Sequence, residues 1–414
     1  MSKTRLLYSR YMDRFLYDSA RGYFSTQQRN QLGKLPSLID FRKLKGLGDY
    51  RAALEEKYPD GRFLTPSEIF RPFYGMSMAQ FFVEWSRGTG GSRVVEAGPG
   101  MGGQANAFLL FLKTSYPEIY RSISYTLVDV SPFLSRRCRE VLSESHAALI
   151  ERGNIKFVVS DIEGFLKNSS PFGEKTLLMM FEVLDNMPHD RVEFGPGFSD
   201  PRVTLVETDP DFSHRELVLE PLKDHPAVSE LFEAWKEYYH SQPIFKNKLN
   251  PFENLFPALR RAAHRVQNLG RSPRSAVYLP THFHCFLKAA SRHPNLSHLM
   301  SDFSWLPGDV RYSGRFEENN APIISTKVEG QKKFVDFASV CEPEFGTADI
   351  FFGTDFEFAQ FLIKKALKVS SLSLSPREFF DRFAQNDWGL TKSSFNPMKA
   401  DFSNTQYLFT KITR

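Results

Sequence analysis

A chain of 414 residues, 41% of them apolar and 24% charged, is long enough for one large domain with substantial additions or for two of ordinary size. No window approaches the roughly 18 uninterrupted apolar residues of a membrane helix, and three scattered cysteines, Cys138, Cys285 and Cys341, exclude a disulfide framework and any CxxC metal or redox site. The formal charge of +5 does not by itself imply nucleic acid, although both ends are basic, with eleven Lys/Arg against four Asp/Glu in residues 1–51 and nine against four in residues 360–414.

Lys3, Arg5 and Arg10, with no acid among the first twelve residues, are weakly like the opening of a mitochondrial presequence, and Asp13 and Asp18 then break the pattern. Residues 4–28 place Tyr11, Phe15, Leu16, Tyr17 and Tyr23 at helical spacing, which predicts a helix that Gly22 can stop, and residues 29–60 read as a linker. Thr65-Pro66-Ser67-Glu68 is a helix start, with Thr65 as cap, Pro66 in the first turn and Glu68 three residues after the cap. A second helix covers Met76 to Trp85 and ends before the glycines of 88–91.

From Arg93 short strands and helices alternate, as a parallel sheet with crossover helices demands. Strands are predicted at residues 93–96, 125–129, 155–159 and 176–181, with helices at 104–113, 133–150 and 162–166 between them. Beyond Pro188, residues 203–206 and 217–219 read as further strands. Residues 228–266 hold helical segments broken at Pro243 and Pro251, and residues 276–280 return to the sheet. A helix at 281–293, a strand at 299–303 and a helix at 357–369 complete the pattern. The fold class is therefore α/β and Rossmann-like, with an N-terminal helical extension and a helical insertion or lid. The predicted division is a basic extension over 1–60, a nucleotide-binding core over 61–227, an insertion or lid over 228–270, and completion of the fold with a basic C-terminal region over 271–414.

Glu96-Ala97-Gly98-Pro99-Gly100-Met101-Gly102 follows the first core strand and opens a helix. Glycines there let main-chain N–H groups approach a ligand closely. Gly98, Gly100 and Gly103 also satisfy GxGxxG, so a dinucleotide site is the competing reading. Two features weigh against it. Glu96 puts negative charge where a phosphate-binding turn avoids it and a cationic aminoacyl ligand accepts it, and the next strand-end acid, Asp129, lies about thirty residues on instead of about twenty. S-adenosyl-L-methionine is the cofactor these residues favour, with Glu96, Gly98, Gly100, Gly102, Asp129 and Asp161 as binding residues. Asp129 is suited to accept both ribose hydroxyls, or else Asp129 or Ser131 caps the next helix. Asp161 suits the adenine amino group, or else caps its own helix. Glu182, Asp185 and Asn186 form a polar cluster at the end of the fourth strand, where substrate meets cofactor in open α/β sheets; the bland alternative is a loop with capping acids. Glu182 and Asp185 can pair with a guanidinium or take a proton from another nitrogen nucleophile. His282 and His284 form an HxH without an evident third ligand, so no metal is predicted.

Several ordered segments resemble the MidA-like family of S-adenosylmethionine-dependent methyltransferases, which includes a mitochondrial complex I assembly factor that methylates an arginine. They are Tyr11-Met12 through Leu16-Tyr17 to Gly22-Tyr23; Phe63-Leu64-Thr65-Pro66-Ser67-Glu68-Ile69; the turn Val95 to Gly102; and Glu182 to Pro188, similar to an E-x-x-D-x-x-P signature. Asp302 to Pro307, Asn320-Ala321-Pro322 and Asp349 to Phe356 look like a divergent fungal or protist branch. The resemblance implies a seven-stranded methyltransferase sheet with a helical lid, and methylation of a protein arginine in the mitochondrial matrix during assembly of a large complex. It also implies a protein substrate or assembly intermediate as partner, with membership of a complex or a dimer. Phe181 stands where the family has Asn beside the signature glutamate, and Arg62 where it commonly has Asp. The alternative is therefore a catalytically weak assembly factor that docks on a respiratory-complex intermediate or, through its basic ends, on mitoribosomal RNA.

Overall fold

Two seven-stranded sheets and a smaller three-stranded one share the chain in a computed structural model that describes residues 3–25, 32–59, 62–242, 274–306, 310–312, 316–327 and 334–410. The amino terminus forms strand β1 (Thr4–Leu7) and helix α1 (Tyr8–Tyr17), followed by helices α2 (Leu47–Lys57), α3 (Pro66–Ile69) and α4 (Phe73–Thr89). The alternating core then runs β2 (Arg93–Ala97), α5 (Gly103–Ser115), α6 (Pro117–Ser122), β3 (Ser124–Asp129), α7 (Pro132–Glu151), β4 (Ile155–Val159), α8 (Ile162–Asn168) and β5 (Thr176–Phe181). Strands β6 (Asp190–Gly195), β7 (Ser199–Thr208) and β8 (Arg215–Pro221), helix α9 (Pro226–Ser241) and strand β9 (Arg274–Leu279) come next. They lead through the helix Thr281–Ala290 into β10 (Leu296–Phe303), β11 (Val310–Tyr312) and β12 (Phe316–Asn319). The last strands are β13 (Ile323–Lys327), β14 (Phe334–Phe337), β15 (Asp349–Phe351), β16 (Ser371–Leu374) and β17 (Thr405–Thr410).

The main sheet has the order β4-β3-β2-β5-β10-β17-β16. Neighbours from β4 to β10 are parallel, whereas β17 runs antiparallel between β10 and β16. β5, Thr-Leu-Leu-Met-Met-Phe, is buried at every position, as a central parallel strand covered on both faces must be. One face carries a core with Phe82, Phe108, Tyr125 and Phe380. The opposite face packs Val95, Leu178 and Met180 with Phe232, Phe286 and Leu362. The forty phenylalanines thus serve mainly as core, with repeated edge-to-face contacts such as Phe81–Phe383 and Phe108–Tyr125.

The seven-stranded sheet agrees with the sequence-based expectation, but several strands lie elsewhere than predicted. Residues 203–206, 217–219 and 276–280 do not extend the main sheet. They belong to β7, β8 and β9 of a second, largely antiparallel sheet that also holds β1, β6, β11 and β12. Strand propensity is local, whereas the choice of sheet depends on which partner edge is free. The predicted helix over 4–28 is likewise only partly formed. Thr4–Leu7 pairs with Leu205–Thr208 on the edge of β7, and this long-range pairing overrides the helical spacing. The expected linker contains α2, a helix whose one buried residue is Tyr50 and whose polar surface gives no amphipathic signal. Within the expected lid, α9 packs Val228, Leu231, Phe232 and Trp235 into the core beside β9; residues 243–273 lie outside the described residues. No helix among the described residues is long and apolar enough to cross a membrane.

Candidate functional site

A cavity of about 360 Å³ opens at the carboxyl ends of β2, β3, β4 and β5, within the range of small-molecule sites and at the edge where open α/β sheets bind ligands. Its floor is the turn after β2. Gly98, Gly100 and Gly102 hold φ angles of +67°, +53° and +79°, a region that side-chain-bearing residues avoid. The Gly98 N–H bonds to the Val128 carbonyl (2.9 Å), and the Gly102 N–H closes the turn on the Pro99 carbonyl (2.9 Å). A Cβ on Gly98 would stand 2.7 Å from Val183 Cγ2. Gly98 and Gly100 line the cavity. Gly102 instead faces α7, where a Cβ would meet Cys138 Sγ at 2.7 Å; its freedom shapes the turn from behind.

Glu96 does not line the cavity. Residues alternate along β2, so Ala97 faces the cavity while Glu96 shares the opposite face with Val94. There it is 3% exposed and accepts the Tyr125 hydroxyl. Burial pushes its carboxyl up to about 7, against the lowering effect of that hydroxyl. The acid of the turn is thus a buried strut between β2 and β3.

Asp129, the last residue of β3, faces the cavity. Its carboxylate accepts the Ser131 N–H at 2.8 Å and a backbone hydrogen bond from Gly100. Desolvation nevertheless pushes it up to about 7. Ser131 is the residue that caps α7, accepting the Leu134 N–H, which leaves Asp129 to the cavity. Asp161 fills both roles considered for it: it lines the cavity and caps α8 by accepting the Gly164 N–H at 2.7 Å.

The loop after β5 forms the wall beside the turn, with Glu182, Asp185 and Asn186 all lining the cavity. Glu182 is half-buried and holds a left-handed φ of +54°. Asp302, at the end of β10, holds this loop in place, accepting the Leu184 N–H (2.8 Å), the Asp185 N–H (3.1 Å) and the Phe303 N–H (2.8 Å). Asn186 is occupied structurally. Its side-chain amide donates to Asp349 (2.8 Å) and to the Ile350 carbonyl (3.1 Å), while its own carbonyl accepts the Tyr17 hydroxyl (3.1 Å). A catalytic role expected for Asn186 is therefore better described as bracing the loop. Asp185 Oδ1 is buried without a hydrogen-bond partner among the described residues. Burial first, and then the neighbouring Asp302 charge, holds both Glu182 and Asp185 well above the ordinary carboxylate range.

Sequence reasoning missed Asp13, Tyr17, Glu163, His282 and Asp349 as cavity residues. Only the resemblance touched Tyr17 and Asp349, without giving either a role. Asp13 and Tyr17 come from α1, so residues first read as presequence-like and extension-like lead directly into a wall of the cavity. The amino-terminal arm is locked in place by Asp190, which accepts the Ser9 N–H (3.0 Å), the Ser9 hydroxyl (2.9 Å) and the Thr281 hydroxyl (2.8 Å). Thr65 caps α3 as predicted, accepting the Glu68 N–H. Glu68 does not reach back to close the capping box. It accepts the Leu35 N–H (2.7 Å) and pairs with Arg71 (2.9 Å). His282 and His284 diverge, as residues two apart on a helix must: His282 faces the cavity, and His284 approaches Glu230 at 3.5 Å.

The donor set tests which cofactor fits. Seven carboxyl groups line the cavity (Asp13, Asp129, Asp161, Glu163, Glu182, Asp185 and Asp349), and no Lys or Arg does so among the described residues. A pyrophosphate ligand would meet uncompensated repulsion there, whereas a sulfonium with an ammonium group is attracted. The acidic rim and the glycine turn therefore fit an adenosyl sulfonium and disfavour a dinucleotide.

Comparison with known proteins agrees with this geometry. Residues 77–374 match a family model described as "Putative S-adenosyl-L-methionine-dependent methyltransferase". A search of curated proteins finds no match. Among solved structures, a COG1565 superfamily member from Burkholderia thailandensis, bound to S-adenosyl-homocysteine, aligns at a TM-score of 0.57 and 16% identity, covering 99% of this chain and 89% of its own. A second COG1565 superfamily structure from Burkholderia thailandensis aligns at 0.56 and 15%, covering 99% and 88%. At such identities the likeness speaks to the fold. Because the family model spans most of the sequence, the chain belongs to that family of S-adenosyl-L-methionine-dependent methyltransferases, in agreement with the MidA-like resemblance of its sequence.

Proposed function

We propose that the chain methylates a nitrogen of a protein side chain, that of an arginine, in the mitochondrial matrix during assembly of a large complex. The observation that carries this reading is the set of carboxyl groups, Glu182, Asp185 and Asp349, that line the cavity of the glycine turn. S-adenosylmethionine, held by Gly98, Gly100 and Asp129, supplies an activated methyl group, so the protein's task is alignment and proton handling. A guanidinium is a planar cation with donors in a fixed fork, and paired carboxylates are its natural partners. Glu182 and Asp185 fit that role: a bound cation displaces their own protons to solvent, and each carboxylate can then accept the proton that the acceptor nitrogen gives up, because burial has raised its affinity for it. Asp302 holds the loop that presents them, and Tyr17 and Asn186 brace it against α1 and β15.

The test is incubation of the purified chain with methyl-labelled S-adenosylmethionine and arginine-containing protein extract from mitochondria, followed by mass spectrometry of the labelled peptides. Label on arginine, lost in Glu182→Gln and Asp185→Asn, supports the reading. Label on another residue type, or undiminished label in both variants, contradicts it. Location is tested separately by imaging a carboxyl-terminally tagged chain, where a cytosolic signal opposes the matrix assignment.

A further inference from the structure

The sheet order fixes the direction in which an adenosyl ligand must lie. Along the carboxyl edge, β5 carries the acceptor carboxyls, β2 the glycine turn, β3 Asp129 and β4 Asp161. A ligand held at the turn with its ribose on Asp129 therefore extends its base toward the end of β4, where α8 and the helix Thr281–Ala290 pack together. Two polar side chains from other parts of the fold reach this end of the cavity. Asp13 arrives on α1, and His282 stands at the start of its helix with its backbone N–H bonded to the Pro188 carbonyl (3.1 Å). They are close enough for their charges to interact with each other and with Glu163 and Arg10. Asp161, the obvious reader of the base, already spends one oxygen on capping α8.

We propose that Asp13 and His282 read the adenine edge, Asp13 accepting from the exocyclic amine and His282 donating to a neighbouring ring nitrogen. The inference rests on the cavity being an S-adenosylmethionine site. Adenine presents a donor beside an acceptor on this edge, and a carboxyl oxygen beside an imidazole N–H is the complementary pattern. Hypoxanthine reverses it, offering a carbonyl beside an N–H. Burial lowers the affinity of His282 for a second proton, which leaves a neutral ring with one donor and one acceptor. The amino-terminal arm then belongs to the donor site itself, because the Ser9–Asp190 contacts position the helix that carries Asp13.

Calorimetry of the full chain with S-adenosylhomocysteine and with S-inosylhomocysteine tests this. The wild type is expected to prefer the adenosyl ligand by ~30-fold or more, the size of reversing two hydrogen bonds in a buried site. In Asp13→Asn and His282→Gln that preference shrinks to within ~3-fold, while His284→Gln, on the same helix but facing away, keeps it. Thermal unfolding identifies any variant that fails to fold, in which case the other decides the matter alone. If either folded variant discriminates as the wild type does, the proposal is overturned and the cofactor site stands. If the wild type binds neither ligand, the cofactor reading falls and this inference falls with it.

Discussion

Replacing Gly98 with alanine, and comparing the result with the same change at Gly102, separates ligand binding from turn stability. Both residues hold left-handed φ angles, +67° and +79°, where a side chain costs about 1–2 kcal/mol. Both added Cβ atoms meet a neighbour at 2.7 Å, Val183 Cγ2 at Gly98 and Cys138 Sγ at Gly102, and such overpacking adds about 1–3 kcal/mol. The expected loss of stability is thus similar, about 2–5 kcal/mol for each variant. Their effects on the cavity differ. At Gly98 the methyl and the displaced Val183 both lie on the cavity wall, whereas Gly102 pushes on α7. Calorimetry with S-adenosylhomocysteine, at a temperature where thermal unfolding shows both variants folded, should find affinity reduced ~30-fold or more in Gly98→Ala and within ~3-fold of wild type in Gly102→Ala. Cys138→Ala should restore part of the stability lost in Gly102→Ala. Wild-type affinity in Gly98→Ala, or equal losses of affinity in both variants, refutes the assignment of the turn as the cradle.

Asp129→Asn should weaken S-adenosylhomocysteine by ~10-fold or more, since hydrogen bonds to an ionised group are worth about 1.5–3 kcal/mol; unchanged affinity by calorimetry would remove Asp129 from the site. Asp129, Asp302 and Asp349 are each held up near 7, against 3.8 for a free carboxyl, chiefly by burial. Between about pH 4 and 7 these three groups hold protons in the folded chain that they lose in the unfolded one, so their contribution to the stability of the ligand-free protein falls as pH rises, and the melting temperature of Asp349→Asn, measured relative to wild type, should rise from pH 5 to pH 7. A difference between the two proteins that stays constant over that range contradicts this. Because a cationic ligand favours the ionised carboxyls, S-adenosylmethionine should bind more tightly as pH rises and release protons on binding, read as a dependence of binding heat on buffer ionisation enthalpy. Asp302→Ala strips three backbone N–H groups of their acceptor and should destabilise the chain by several kcal/mol, in the range set by about 1–3 kcal/mol per unsatisfied buried group; a change below 1 kcal/mol in chemical denaturation opposes its role as loop anchor.

The residues named from sequence that the structure brings to the cavity are those whose geometry is local. A strand, a glycine turn and a helix in succession place Gly98 and Gly100, and a strand-end acid after each of the next strands places Asp129 and Asp161. Glu182 and Asp185 follow the same logic at the end of β5. Glu96 failed because period-two alternation within β2 turns it toward Tyr125, and the turn motif was weighed without that parity. Asp13, His282 and Asp349 were not legible as site residues. They arrive from α1, from the helix after β9 and from β15, and only tertiary packing brings them to one cavity. The second sheet was hidden for a related reason: β7 and β9 have ordinary strand sequences, and nothing within them names the partner edge. Asp302 was visible only as part of a resemblance motif, because its role depends on a backbone loop more than a hundred residues away.

The most direct test of the adenosyl-binding cavity is ultraviolet cross-linking of the purified chain with methyl-labelled S-adenosylmethionine, followed by mapping of the labelled peptide. Label confined to peptides carrying cavity residues, in segments 13–17, 97–104, 128–134, 160–163, 182–188, 282–286 or 349–351, and suppressed by excess S-adenosylhomocysteine but not by NAD, is the predicted result. Label elsewhere in the chain, or label displaced equally by NAD, would contradict it.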